Sequence, residues 1–350
     1  MSEKKETCVK WDMSKKWEEV DSVKTECIAA QQNVVPEKGV RYLLSDRCGN
    51  KQTWKSCLIS FVLLFIFNGI APLSMFIYLG SLFSWVLLIL TVMMIASFFF
   101  PAKIYDEEKI SLPIWNTLYD YFSYSVIFDE PIDSNKKYLL AHYPHGVSAL
   151  SSYVFGFALH RFYHKLPSHF LTATSNFYVP FSCIVTKWLG GVDATSENLK
   201  KSLKDGSCSV VVDGIAGVYI DDPVNENVKF SGRKGFIRGA IETGTPIIPV
   251  FHYGNSQVCK MYPKWLGDRL RKYRFVCGLV VGRWGTFVPK KIPLMSVCGK
   301  PIEVKKMSKE DPQFSAYVDE VQQQLADELQ RVYYKYRCVY GWNNRGLAMY

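Results

Sequence analysis

Apolar and polar positions are unevenly distributed along the 350 residues. From Ser56 to Ala102 no Asp, Glu, Lys or Arg occurs, whereas charged residues crowd both flanks. A bilayer's hydrocarbon core is about 30 Å thick and takes roughly 20 apolar residues per helix. The run is therefore too long for one span and suits two. Asn68, Gly69 and Pro72 break it early, and Gly80-Ser81 break it near the middle. The pattern predicts a transmembrane or membrane-embedded helical hairpin within 55–102, with arms of about 55–78 and 82–100 and a tip at or near the far interface. Lys51, Lys55 and Lys103 put both flanks on one side, which the Lys/Arg preference makes cytosolic.

Residues 1–54 are polar and of mixed charge, and partial disorder is expected there. Residues 103–136 read as a connection with an interfacial helix, because Ile114, Trp115, Leu118, Tyr121 and Phe122 recur near helical spacing. The pattern then changes. Strand candidates are Lys137–Ala141, His169–Ala173, Cys208–Val212, Pro246–Phe251, Phe275–Val281 and Leu294–Cys298; helix candidates between them are Val147–Tyr163, Phe177–Trp188, Ser196–Lys204 and Gly232–Thr243. Such alternation predicts an α/β fold with a mainly parallel sheet over 103–350. A last helix, about 312–337, places Phe314, Tyr317, Val318, Val321, Leu325, Leu329 and Val332 on one stripe.

Composition narrows the partners. A net charge of +10 suits an anionic membrane surface or a polyanionic ligand. Nucleic acid is not expected, since no zinc-finger, helix-turn-helix or RNP-like pattern occurs. The ten cysteines are scattered without a Cys-x-x-Cys pair, so neither a zinc site nor a disulfide framework is expected. His160, His164 and His169 cluster, but no carboxylate or cysteine accompanies them and no metal is expected. A Gly-x-Ser-x-Gly elbow is also missing, which argues against a serine lipase.

Candidate chemistry centres on His145 in Tyr143-Pro144-His145-Gly146, directly after a predicted strand. Ligands of open α/β sheets bind at the carboxyl ends of strands. There Pro144 would stiffen the turn, Gly146 would permit close backbone approach, and the imidazole could move a proton. Asp213, at another predicted strand end, could orient His145 or bind a hydroxyl; as a residue before Gly214 it could equally form a turn. Arg233, Lys234 and Arg238 open a predicted helix, where backbone N–H groups also favour anions.

Several blocks resemble the diacylglycerol O-acyltransferase type 2 family, which includes monoacylglycerol and wax-ester acyltransferases. Tyr143-Pro144-His145-Gly146 resembles the family's His-Pro-His-Gly, and Ser231-Gly232-Arg233-Lys234-Gly235-Phe236 its Arg-x-Arg-Lys-Gly-Phe. Pro249 to Asn255, Gly282-Arg283-Trp284-Gly285 and Val297 to Ile302 resemble further blocks in the same order. The resemblance implies acyl transfer from acyl-CoA, a co-substrate rather than a resident cofactor, to a lipid hydroxyl. It makes His145 the general base and Arg233, Lys234 and Arg238 the acyl-CoA contacts, with His142, Tyr143, Asp213 and Asn255 as orienting or acceptor-binding residues. Phe61, Leu64 and Asn68 lie in a string similar to one that contacts neutral lipid, with Val62 replacing a leucine. Diacylglycerol leads among acceptors; monoacylglycerol and long-chain alcohols stay open, as does homo-oligomerisation. An inactive hairpin protein coating lipid droplets is the alternative of another class. The implied location is the endoplasmic reticulum membrane, multi-pass, with the catalytic domain facing the cytosol, and also lipid droplets. The sequence departs from the family at Ser123 (for proline), Tyr143 (for histidine) and Gly217 (for glutamate).

Overall fold

The computed structural model describes residues 41–43, 53–130, 132–163, 168–219, 222, 224–263, 265, 278–342 and 344–350. The polar region expected over 1–54 lies almost wholly outside the described residues, as do His164 and residues 275–277 of one strand candidate.

Alternation along the strands sorts the apolar side chains into two cores on opposite faces of one sheet. The strands are β1 (Arg41–Leu43), β2 (Ser125–Phe128), β3 (Leu139–Tyr143), β4 (Ser168–Thr172), β5 (Gly191–Asp193), β6 (Ser207–Val211), β7 (Asn225–Val228), β8 (Ile247–Tyr253), β9 (Lys260–Tyr262), β10 (Leu279–Val281), β11 (Met295–Cys298) and β12 (Gly346–Met349). Eight of them form a sheet in the order β1-β2-β11-β8-β3-β6-β4-β5. From β8 to β5 neighbouring strands run parallel; β11 lies antiparallel to β8, β2 is parallel to β11, and β1 is antiparallel to β2. The mainly parallel α/β fold expected from the pattern is present, with a reversed edge. β7 pairs with β12 and β9 with β10 as separate two-stranded ribbons, so the 275–281 candidate ends in a ribbon and not in the main sheet.

On β3, Leu139, Ala141 and Tyr143 enter a core shared with the helices Ser196–Asp205, Gly235–Thr243 and Phe314–Tyr340. Leu140 enters the opposite core, beneath the helix Leu150–Phe162 and the segment 107–122. The expected interfacial helix belongs to that core. Trp115, Leu118, Tyr121 and Phe122 are buried and Trp115 stacks on Phe157 at 4.1 Å, so the apolar stripe packs against protein. Ile114 alone of the five is exposed.

The uncharged run folds as α1 (Trp54–Asn68), α2 (Ile70–Gly80) and α3 (Trp85–Phe99). The first arm of the expected hairpin is therefore broken at Gly69, where α1 and α2 meet at 82°. Among the described residues no single helix is long and apolar enough to cross a membrane; the bent α1–α2 pair reaches the required length only together. At 15 residues α3 spans about 22 Å at 1.5 Å per residue. The base of this unit is fixed to the α/β domain: Ser60 Oγ donates to the Thr117 carbonyl (2.8 Å), and the Phe181 N–H donates to Ser97 Oγ (3.0 Å). Among the described residues five cysteines (Cys57, Cys183, Cys208, Cys259 and Cys298) are free thiols and Cys338 is disulfide-bonded.

Candidate active site

Strand β3 lies between β6 and β8, and its carboxyl end carries the turn Pro144-His145-Gly146. Three elements hold that turn. Asn255, buried just after β8, donates through Nδ2 to the Pro144 and His145 carbonyls (3.2 and 2.7 Å) and accepts the Ser151 N–H at Oδ1 (3.1 Å). Asp213, buried just after β6, accepts the His145 N–H at Oδ2 (3.0 Å). Gly146 takes φ +63°, and a Cβ there would meet the Asn255 carbonyl oxygen at 3.0 Å, so the position excludes a side chain by conformation and by space.

The ring of His145 has a defined tautomer. Nδ1 lies 2.7 Å from the Gly146 carbonyl oxygen. A carbonyl only accepts, so in the neutral ring Nδ1 carries the proton and Nε2 keeps the lone pair. Burial pushes the pKa of the ring below its usual value, with the Gly146 carbonyl opposing in part. The half-buried imidazole is thus an uncharged base at neutral pH.

Asp213 does not touch the imidazole nitrogens; its contact is with the backbone of the turn. Burial raises its carboxyl to about 7, against the lowering effects of the His145 N–H and Arg233. Gly217 explains one departure from the family pattern. A Cβ at Gly217 would lie 2.8 Å from the His145 Cβ and 2.7 Å from the Asp213 Cβ, so no glutamate fits here.

The other expected site residues separate. His142 points to the opposite face from Tyr143, as alternation on β3 requires. It lies edge to edge with His252 (Nδ1 to Nε2, 2.8 Å), and His252 Nδ1 meets Ser296 Oγ (2.7 Å), itself 2.6 Å from the Tyr124 hydroxyl. Burial lowers His142 to about 3 and holds His252 well below its ordinary value, so this chain across β3, β8 and β11 stays neutral. Tyr143 is buried in the second core beside Phe230, with its pKa raised well above the usual value by burial. Of the basic residues, Arg233 donates from Nη2 to the Asp213 carbonyl (3.1 Å) and so adjoins the site. Lys234 pairs with Asp319 on the last helix (2.5 Å), and Arg238 is exposed on the outer side of its helix. In α1, Phe61 is exposed, but Leu64 is fully buried in the core and Asn68, also buried, donates to the Leu64 carbonyl (3.1 Å), so of the three only Phe61 offers its side chain to the surroundings. Among the described residues no group of three or more His, Cys, Asp or Glu could hold a metal.

Sequence reasoning gave no role to His252, Ser296 or Tyr124. The available signal was the intrusion of polar residues into otherwise apolar strands, which requires them to find one another.

His145 thus presents an unprotonated Nε2 at the carboxyl end of β3 in a mainly parallel sheet. Residues 75–347 match the family model described as diacylglycerol acyltransferase. Diacylglycerol O-acyltransferase 2B of Umbelopsis ramanniana is 27% identical over 78% of this chain and 85% of its own length. The Homo sapiens diacylglycerol O-acyltransferase 2 is 23% identical over 73% of each chain. A crystal structure of the 1-acyl-sn-glycerophosphate acyltransferase PlsC from Thermotoga maritima aligns over 78% of this chain and 97% of its own, at 14% identity and a TM-score of 0.36. The chain belongs to the diacylglycerol acyltransferase family and is an acyltransferase.

Proposed function

We propose that the chain transfers an acyl group from acyl-CoA to the free hydroxyl of diacylglycerol, forming triacylglycerol, with His145 as general base. The observation that carries this reading is the ring geometry: Nδ1 is committed to the Gly146 carbonyl, which leaves the Nε2 lone pair for the acceptor hydroxyl. Nε2 takes the hydroxyl proton as the oxygen attacks the thioester carbonyl. The tetrahedral intermediate then collapses, the C–S bond breaks, and the imidazolium returns the proton to the departing thiolate. Asn255 and Asp213 act as positioning residues for the turn, and Arg233, adjoining Asp213, lies on the acyl-CoA side.

An oily acceptor requires a membrane. The surface of α1–α3 exposes Trp54, Phe83, Trp85 and Phe99, each at 73% or more, an apolar area that water would disfavour. We assign this unit to the bilayer of the endoplasmic reticulum, with the α/β domain on the cytosolic side, and to lipid droplets.

The test is His145→Ala in membranes supplied with labelled acyl-CoA and diacylglycerol. Loss of a general base predicts a fall in triacylglycerol synthesis of roughly 10²–10⁴-fold. Undiminished synthesis would remove His145 from the mechanism.

A further inference from the structure

The loop between β10 and β11 holds a bulky residue in an unfavourable backbone. Trp284 takes φ +56° and ψ +25°, the left-handed region that suits glycine, and 72% of its surface is exposed. Hydrogen bonds close the loop around it. The Gly282 N–H donates to the Thr286 carbonyl (2.7 Å), the Arg283 N–H to the Val288 carbonyl (2.6 Å) and the Thr286 N–H to the Arg283 carbonyl (3.0 Å). The turn therefore fixes an indole outside the protein, with the Arg283 guanidinium 4.0 Å over the ring. Strain kept without a packing gain points to a task at the surface.

The neighbours of the loop show what it faces. Tyr262 and Leu279 stand opposite each other on β9 and β10, exposed together because Met261 and Val280 beside them turn inward. Behind the loop, the Tyr121 hydroxyl donates to the Pro289 carbonyl (2.7 Å), and both Arg283 and Cys57 of α1 lie close enough to act on its ionisation. Packing gives the same placement. Ser60, one turn along α1 from Cys57, bonds to Thr117, one turn before Tyr121 on the helix Asn116–Phe122. The loop thus adjoins the opening turns of α1, which begin with exposed Trp54 and with Lys55 Nζ 5.8 Å from that ring.

Trp and Tyr rings collect where hydrocarbon meets lipid headgroups, because the ring is apolar and its edge polar. A cation at that level faces lipid phosphates while its stem covers apolar surface. The uncharged run starts in α1, so the bilayer boundary falls at its N-terminal end. Continuity with that face decides for a bilayer over a protein partner.

We propose that the 282–287 loop, with Tyr262 and Leu279, is a second membrane contact seated at headgroup level beside α1. The proposal rests on α1–α3 lying in the bilayer. Its consequence is orientation. Lys290 and Ile292, a few residues further on, line the cleft beside Pro144 and Gly146, so the contact fixes how that cleft stands to the membrane holding the acceptor.

The experiment places the purified full-length chain in vesicles of four parts phosphatidylcholine to one part phosphatidylserine. Tryptophan emission of the unaltered chain, less that of Trp284→Phe, gives the signal of Trp284. Trp284→Gly supplies an independent subtraction, and it should fold with an unchanged or higher melting temperature because the left-handed backbone suits glycine. Interfacial side chains enter about 5–10 Å into the headgroup and acyl boundary, so lipid brominated near the headgroup end should quench Trp284 about twofold more than lipid brominated near the methyl end. Aqueous acrylamide should quench it less in vesicles than in detergent. A Trp284 signal untouched by brominated lipid, with the other tryptophans quenched, would overturn the second contact and leave α1–α3 in the bilayer. Stronger quenching from the methyl end would overturn the headgroup level. If no tryptophan were quenched, the bilayer assignment itself would fall, and this contact with it.

Discussion

Gly217 shows how little room surrounds the His145 side chain. Its missing Cβ would fall within 2.8 Å of both the His145 and Asp213 Cβ atoms, so even alanine must displace one of them. Gly217→Ala is expected to lower kcat at least tenfold while leaving the melting temperature within a few degrees, since a near-attack geometry tolerates little movement. Activity and thermal melts on one preparation check this. Asp213 gives a second test, because its carboxyl accepts the His145 backbone N–H. Asp213→Asn keeps an acceptor of the same shape and should retain most activity. Asp213→Ala strands a buried donor at a cost of about 1–3 kcal/mol and should lose far more. Equal losses in the two variants would show instead that the carboxylate charge matters.

Among elements, the run from β3 into its turn was the most legible, yet its predicted end fell two residues short. The strand continues through His142 and Tyr143, polar side chains that a hydropathy pattern assigns to a loop. They remain in the strand because His142 finds His252 across the sheet and Tyr143 enters the second core. The short strands β2, β5, β7 and β12 carry too few residues for a period to show, and they form through their partners. The segment 114–122 failed differently: its stripe was read correctly but assigned to lipid, because an apolar face does not disclose what covers it. The site was partly readable. The pattern placed His145 after a strand, and the structure joins Asn255 to its turn, whereas the split of Arg233, Lys234 and Arg238 required knowing where Asp319 lies. Asn255 joins two elements, and Asn255→Ala frees the carbonyls of Pro144 and His145 together. That variant should lose kcat more than affinity for acyl-CoA, as steady-state kinetics can show.

At the scale of the whole molecule, the last helix is tied to the reversed edge of the sheet by one buried carboxylate. Asp129 accepts from Arg331 (2.6 Å), Lys335 (2.5 Å) and the Tyr336 hydroxyl (2.5 Å) and has no exposed surface. Burial alone would raise its pKa, but the hydrogen bonds from Lys335, Tyr336 and Arg331 hold it at about 2. A depressed folded pKa gives stability that is complete above the unfolded value of roughly 3.9 and is lost as pH falls towards 2. Asp129→Ala leaves the buried Tyr336 hydroxyl without its acceptor, while Arg331 keeps Glu328 and exposed Lys335 reaches water, and should cost about 1–3 kcal/mol at neutral pH, measurable by denaturant unfolding of the solubilised protein. Its effect should fade in acid. The same edge contributes Val126 and Phe128 to the core that seats α1 through Leu64, and α3 is held separately by the Phe181 N–H on Ser97 Oγ.

The claim beneath all of this is that a neutral His145 with a free Nε2 removes the acceptor's proton. The pH dependence of kcat/KM for triacylglycerol formation tests it most directly. Burial lowers the ring's pKa, so the account predicts activity that is full at neutral pH and falls on the acid side with a midpoint below the ordinary histidine value of 6.5. A profile flat through that range, or the same acid limb persisting in His145→Ala, would contradict it.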